Sequence, residues 1–479
     1  MHDRAKDVAE GFVAGRVSRR ELVRRLAALG VGVGVADMLV NAAQTRALAA
    51  DFDWTAHKGT SLKLLLNKHP YADAMIANLD NFKQLTGMSV TYDIFPEDVY
   101  FDKVTAALSS RSNEYDAFMT GAYQTWQYGP AGWLVDLNDY LKSAKTNPNY
   151  NWDDVLPNLR ASDSWSGKPG DALGGPGAHQ WALPWGYEMY TVSYNKGVFD
   201  RLKVEPPKNM QELMETAGKI TKDGGNGMYG VGVRGSRSWA TIHPGFLSGY
   251  ANYGARDFTL TGGKLKSAVA SKESKEYTAQ FVKMVQESGP KNWSTYTWYQ
   301  VGADLGAGAS GMIYDADILG YFTNSGDTKM KGQIAYAPIA PNPSAQGPTS
   351  NVWIWSLAMS NFSRNKDAAW LWLQWATGTE NLLFGARGKD MVDPVRASVF
   401  NDEQVQSRIK QNFPGYLDAY SATVKDAKIY FTPQPLFFNV TTDWAAALQR
   451  MVANQVPVNE ALDQLAQATD RQMHQAGLG

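Results

Sequence analysis

The 479-residue chain has no cysteine. That removes disulfide frameworks, thiolate metal sites and lipid-modified cysteine anchors. Histidine is scarce, at 6, so neither a metal centre nor a cofactor is expected. Net charge is nearly absent: 46 Lys+Arg stand against 47 Asp+Glu, for −1 overall. A balance of this kind argues against a nucleic acid or an anionic membrane as partner. No apolar run approaches the roughly 20 residues that cross a bilayer. The sequence also lacks G-x-S-x-G, H-E-x-x-H and G-x-x-x-x-G-K-[ST], the local signatures of several hydrolase and nucleotide-binding classes. Internal repeats, heptads and low-complexity tails are missing as well.

What is present begins with "VSRRELVRRLAALGVGVGVADMLVNAAQTRALAADF". Arg19, Arg20, Arg24 and Arg25 precede a short apolar run, and Ala47-Leu48-Ala49 supplies a small-residue cleavage site. This is the layout of a signal peptide. "SRREL" resembles the twin-arginine export signal, although Asp37 interrupts the apolar stretch. Residues 1–49 are therefore expected to be an export signal, and the remainder is weakly acidic. Without an anchor, an exported chain is best retained in a periplasm. "GVGVGV" follows no expected strand, so it is not read as a nucleotide-binding loop.

Beyond residue 50, periodicity alternates between strands and helices. "SLKLLL" (61–66), "MSVTYDIF" and "YDAFMTG" read as strands, separated by helical patterns over 71–87 and 97–110. The β-α-β-α-β order implies a parallel sheet covered by helices. Ligands of such sheets sit at the carboxyl ends of strands, here near Asn67, His69, Glu97, Tyr123 and Gln124. "SDSWSGKPGDALGGPGAHQ" reads as a surface excursion. A strand pair, a short helix, a turn at Pro206-Pro207 and an amphipathic helix follow. "GMYGVGV", "SGMIYDADI" and "SNVWIWSLAMS" supply further strands, with a helix over 272–287, and two long helices finish the chain.

In this order the chain resembles the extracellular solute-binding proteins of carbohydrate ABC importers, the maltose- and polyol-binding proteins. "EYDAFMTGAYQTWQYGPAGWLVDLNDYL", "LPWGYEMYTVSYNKGVFDRLKVEPPKNMQEL", "GADLGAGASGMIYDADIL" and "WIWSLAMSNFSRNKDAAWLWLQWATGTEN" carry the likeness. The resemblance implies an α/β, two-lobed periplasmic-binding-protein fold of type II. Each lobe is a mainly parallel sheet covered by helices, with the ligand cleft between. Residues 51–186 plus 357–400 are expected in one lobe and 187–356 plus 401–479 in the other. It also implies a monomer that passes a sugar, oligosaccharide or polyol to an ABC permease without catalysis.

A sugar or polyol offers C–H faces to aromatic rings and hydroxyls to carboxylates, amides and guanidinium groups. The resemblance singles out Glu188, six residues before Tyr194 of the "YNK" signature; a hinge carboxylate in a structural ion pair is the competing reading. Asn67, His69, Glu97, Tyr123 and Gln124 are the first-lobe candidates, with His69 also placed to cap the next helix. Trp185 and Tyr187 flank the first crossing. Trp239 lies in "RGSRSWATIHP", where Arg237 and Arg234 could clamp hydroxyls or an anionic group. Asp315 and Asp317 follow "GMIY". Trp353 and Trp355 alternate on one strand and so share a face. Trp370, Trp372 and Trp375 lie on a helix and are read as packing. Two other classes stay open. A glycosidase could use Asp315 and Asp317 as its carboxyl pair. An iron- or polyamine-binding relative is the other; the arginines of "RGSRS" argue against a cationic ligand.

Overall fold

The computed structural model describes residues 52–225, 227–339 and 350–479. The expected signal segment lies outside the described residues. Leu62, Leu64, Leu65 and Leu66 are all buried in β1 (Ser61–Asn67), as the continuous apolar run requires of a strand covered on both faces. β1 runs parallel to β2 (Ser89–Phe95) and to β3 (Ala117–Gly121). The intervening helical pattern is broken into Pro70–Ile76 and Leu79–Thr86, where the sequence suggests one helix. Asn78 sits at the break, and its amide donates to Asn381 Oδ1 at 2.9 Å. An asparagine competes for such bonds and favours a cap over a helix interior. The second helix stops at Gly87 in the left-handed region (φ 68°).

The Gly/Pro-rich excursion is framed by the short antiparallel pair β4 (Ser164–Trp165) and β5 (His179–Gln180). The expected strand pair after it is instead one strand of 13 residues, β6 (Leu183–Asn195), buried almost throughout. β7 (Tyr229–Gly232) follows the helix Met210–Asp223. A hairpin absent from the sequence reading comes next, β8 (Phe258–Thr261) with β9 (Lys264–Ser267). Its turn is Gly262-Gly263, both at positive φ. β10 (Ser310–Ala316), β11 (Ile334–Ala337) and β12 (Val352–Met359) complete the strands.

The main sheet runs β2-β1-β3-β12-β6-β10-β7, with β11 on β6. It is parallel at both ends and antiparallel in the middle. The middle is where β6 changes partners. Its first part pairs with β12 (Leu183 with Leu357, Met189 with Val352); its second pairs with β10 and β11 (Tyr190 with Ala316, Asn195 with Ile334). Each half of the sheet has its own helical cover. The helix Glu97–Ser109 packs on β1 and β2, while Met210–Asp223 packs on β7 and β10. The helices Phe437–Val452 and Val458–Gln475 close the second half against Lys272–Ser288. The architecture is the expected α/β one, with β6 and β12 passing between the halves.

Candidate ligand-binding site

Where β6 and β12 cross, side chains from both halves of the sheet close around a narrow cavity of about 20 Å³. His69 and Glu97 enter from the first half, at the end of β1 and the start of the helix Glu97–Ser109. Arg234, Trp239, His243, Trp298, Ala316, Ile318 and Leu319 enter from the second. Glu188, Trp353 and Trp355 come from the crossing strands.

The polar frame is anchored on Arg234, just beyond β7. Its Nε lies 3.1 and 3.0 Å from the two Asp315 oxygens, and its Nη2 donates to Oδ1 at 2.7 Å. Both partners are buried, so the charges compensate each other in a site that excludes water. Arg234 Nη1 also lies 3.4 Å from His243 Nε2. A guanidinium only donates, so this nitrogen accepts and His243 is neutral with its proton on Nδ1. That proton points to the Tyr190 hydroxyl, 2.7 Å away. Burial and then the adjacent Arg234 push the His243 pKa well down, in agreement with the neutral ring.

His69 is also fixed by its neighbours. It precedes Pro70, the first residue of the helix Pro70–Ile76, and its Nδ1 accepts the Tyr71 N–H at 3.2 Å. The ring is therefore neutral and carries its proton on Nε2, 3.7 Å from Glu188 Oε1. That gap exceeds a direct hydrogen bond. Glu188 Oε1 instead accepts the Trp355 indole N–H at 2.9 Å. Glu188 Oε2 accepts no hydrogen bond among the described residues. Across the cavity, Glu97 is raised to about 7: desolvation outweighs the pull of Arg234, and Glu188 adds to the rise.

Aromatic rings form the rest of the wall. Trp239 lies 5.2 Å from Trp353 and 5.1 Å from His243, and Trp353 meets Trp355 edge to face at 5.1 Å. Trp355 in turn is stacked with Phe101 at 6.2 Å and tilted over His69 at 4.9 Å. Trp353 lies flat on the end of β3 because position 121 has no side chain. A Cβ on Gly121 would stand 2.2 Å from the indole.

Of the residues singled out in the sequence, His69, Glu97, Glu188, Arg234, Trp239, Trp353 and Trp355 meet at this cavity. The others are placed elsewhere. Asn67 and Gln124 are fully buried beside it without lining it, their amide atoms unpaired among the described residues. Tyr123 is a packing residue, stacked on Phe437 at 4.5 Å and hydrogen-bonded to Val352 O at 3.2 Å and Asn351 Nδ2 at 3.1 Å. Trp185 and Tyr187 are core: β6 is one buried strand, and Gly186 between them admits the Tyr71 ring. Arg237 is exposed to solvent. Asp315 is consumed by Arg234. Asp317 caps the helix Ile318–Ser325, its Oδ1 accepting from Met189 N at 3.1 Å and Ile318 N at 3.0 Å. His243, Trp298, Ile318 and Leu319 went unrecognised in the sequence. For Trp298 a signal existed: Thr297 is a capping-box residue, so the indole opens a helix whose N-terminus faces the cleft.

The model for the family described as bacterial extracellular solute-binding protein matches residues 68–382. An erythritol/L-threitol-binding protein of Mycolicibacterium smegmatis is 40% identical over 401 residues, 83% of each chain. A mannitol-binding protein of Pseudomonas aeruginosa is 24% identical, over 81% of this chain and 87% of its own. Among solved structures, an Agrobacterium radiobacter solute-binding protein in complex with ribitol superposes with a TM-score of 0.74 at 20% identity. It covers 87% of this chain and 99% of that one. An Agrobacterium vitis protein with bound D-mannitol gives 0.72 at 24%, over 88% and 99%.

Proposed function

The chain belongs to the bacterial extracellular solute-binding proteins, and from that premise we propose that it captures a short acyclic polyol of about four carbons. Proteins of this kind are binding components of ABC importers, and the chain binds its solute without transforming it. The observation that carries the finer reading is the likeness to the erythritol/L-threitol-binding protein, 40% identical over 83% of each chain. The site agrees with a small solute: its walls leave about 20 Å³, room for about one or two waters and far below the roughly 300–1,000 Å³ of larger small-molecule sites, so the cleft must open to admit even a tetritol. Its carboxylates and tautomer-fixed histidines address hydroxyls, and its indoles address C–H faces.

The energetics agree. A tetritol has about eight non-hydrogen atoms. Micromolar binding, about −8.2 kcal/mol, then demands about −1 kcal/mol per atom, close to the ceiling of about −1.5 for very small ligands. Only a dry site with charge-assisted hydrogen bonds reaches this, since such bonds contribute about 1.5–3 kcal/mol against about 1 for neutral ones.

The rest of the reading follows the resemblance. The lobes divide near 51–186 plus 357–400 and 187–356 plus 401–479. The protein works as a monomer in the periplasm, delivers to an ABC permease, and reaches that compartment by the twin-arginine route. Precursor retained in the cytoplasm by Arg19-Arg20→Lys-Lys is the check on the route; normal export of that variant removes it. The binding test is calorimetric titration with erythritol, L-threitol, ribitol, D-mannitol and maltose. Tetritols are expected tightest and maltose silent; tight maltose binding would overturn the reading.

A further inference from the structure

The charges around the cavity do not balance. Among the described residues, Arg234 is the one cationic side chain in its lining, and it is committed to Asp315 through three short contacts. His243 is neutral because its Nε2 faces that guanidinium, and His69 is neutral because its Nδ1 accepts a backbone N–H. Arg237 is out in solvent. Glu97 and Glu188 therefore border the cavity with no cation of their own.

A second observation points the same way. Glu188 is 6% exposed, yet its Oε2 has no hydrogen-bond partner among the described residues while the residue lines the empty space. A carboxylate oxygen that reaches such a space favours a ligand able to supply donors. Hydroxyls supply donors without charge. An ammonium group supplies donors and charge, and the faces of Trp239, Trp298, Trp353 and Trp355 around the cavity favour a cation.

We propose that this cleft also binds protonated amino-polyols, open-chain polyols with one hydroxyl replaced by –NH3+, and rejects the matching carboxylate and phosphate derivatives. The inference rests on the polyol reading for the size and shape of the ligand. The replacement keeps the number of non-hydrogen atoms, so the amine demands no more room than the tetritol. The arginines that in sequence speak against a cation do not do so in the fold: one is neutralised, the other is outside.

The test is calorimetric titration of the signal-free chain at pH 7.5 with erythritol, 1-amino-1-deoxyerythritol and erythronate. The amine is expected to bind at least as tightly as erythritol, and erythronate at least 100-fold more weakly. Glu188→Gln should lower the amine-to-erythritol affinity ratio at least 10-fold. Glu97→Gln serves as a second variant should the first not fold, with thermal unfolding as the control. Erythritol binding with the amine 10-fold or more weaker would overturn the inference and leave the polyol reading standing. Amine binding with every neutral polyol silent would remove that reading and keep the charge argument. An amine-to-erythritol ratio unmoved in both variants would overturn the assignment to these carboxylates.

Discussion

Trp239 and Glu188 hold the cavity from different elements and by different physics. Trp239 offers ring face: burying roughly 100 Å² of apolar surface contributes about 2.5 kcal/mol at about 25 cal/mol/Å². Glu188 offers a charged acceptor. Trp239→Ala is therefore expected to weaken tetritol binding by about 1–3 kcal/mol, roughly 5- to 150-fold. The unfolding midpoint without ligand should change little, because the indole is only half-buried on the cavity wall. Titration calorimetry and thermal unfolding of the same sample check both statements; unchanged affinity would remove Trp239 from the site. At this scale the sequence is legible where spacing carries the information. Glu188 is singled out by the family resemblance, which implies a ligand-contacting Glu six residues before Tyr194, and Trp353 with Trp355 by their period of two. It is illegible where a tertiary partner decides. Asp315 reads as a ligand carboxylate until Arg234 claims it across the strands. His243 carries no local signal at all, because its tautomer is set by Arg234 on one side and Tyr190 on the other.

The elements that matter most are β3, β6 and β12. β12 pairs with β3 on one side and β6 on the other, and its register slips between Trp355 and Ser356. The slip lies just after the two indoles, where the strand leaves the cavity. Trp355 is paired with Gly121, and Trp353 covers that glycine. Gly121→Ala would place a methyl 2.2 Å from the indole, so the ring must swing toward the empty space. Overpacking of this kind costs about 1–3 kcal/mol. The expected outcome is a lowered melting temperature together with affinity weakened at least 10-fold, although residue 121 touches no ligand. Thermal unfolding alone falling, with affinity intact, would mean that Trp353 moves away from the cavity. The strands at the sheet ends were readable because they are short apolar runs between helices of clear periodicity. The sequence over β6 suggests a pair of strands because Pro184 and Gly186 are residues that favour turns. Their place in the strand is explained only by the fold: Gly186 leaves room for Tyr71, and Pro184 pairs with Ser356 beside the register slip. The β8–β9 hairpin has its Gly-Gly turn in plain view, but its exposed strand residues carry little alternation.

For the molecule as a whole, acid groups buried around the crossing strands link its stability to pH. Desolvation raises Glu97, Asp163 and Asp393 to about 7, and burial with the neighbouring Asp393 raises Asp317 well above its usual range. The groups facing the Asp317–Asp393 pair are Glu188, Tyr71, Tyr187, Tyr336, Tyr416 and Tyr420, and none of them is a cation. Two such carboxyls cannot both ionise without repelling, so the folded chain keeps protons that the unfolded chain releases near pH 4. Stability from these groups is thus fully present below about pH 4 and is lost as pH rises toward about 7, at about 1.4 kcal/mol per pH unit for each proton retained. The opposite sign applies to Asp402, which Arg387 holds at about 2; its contribution is present above about pH 4 and lost on further acidification. The melting temperature without ligand is therefore expected to peak near pH 5 and to fall by about 10 °C toward pH 8. Asp393→Asn keeps the pair from double ionisation at every pH and should flatten that descent while leaving the acid limb in place. A calorimetric scan series from pH 3 to 8 on both proteins measures it. A parent profile that is flat or rising between pH 5 and 8, or an identical descent in Asp393→Asn, would show that the pair ionises freely and that the crossing strands carry no retained proton.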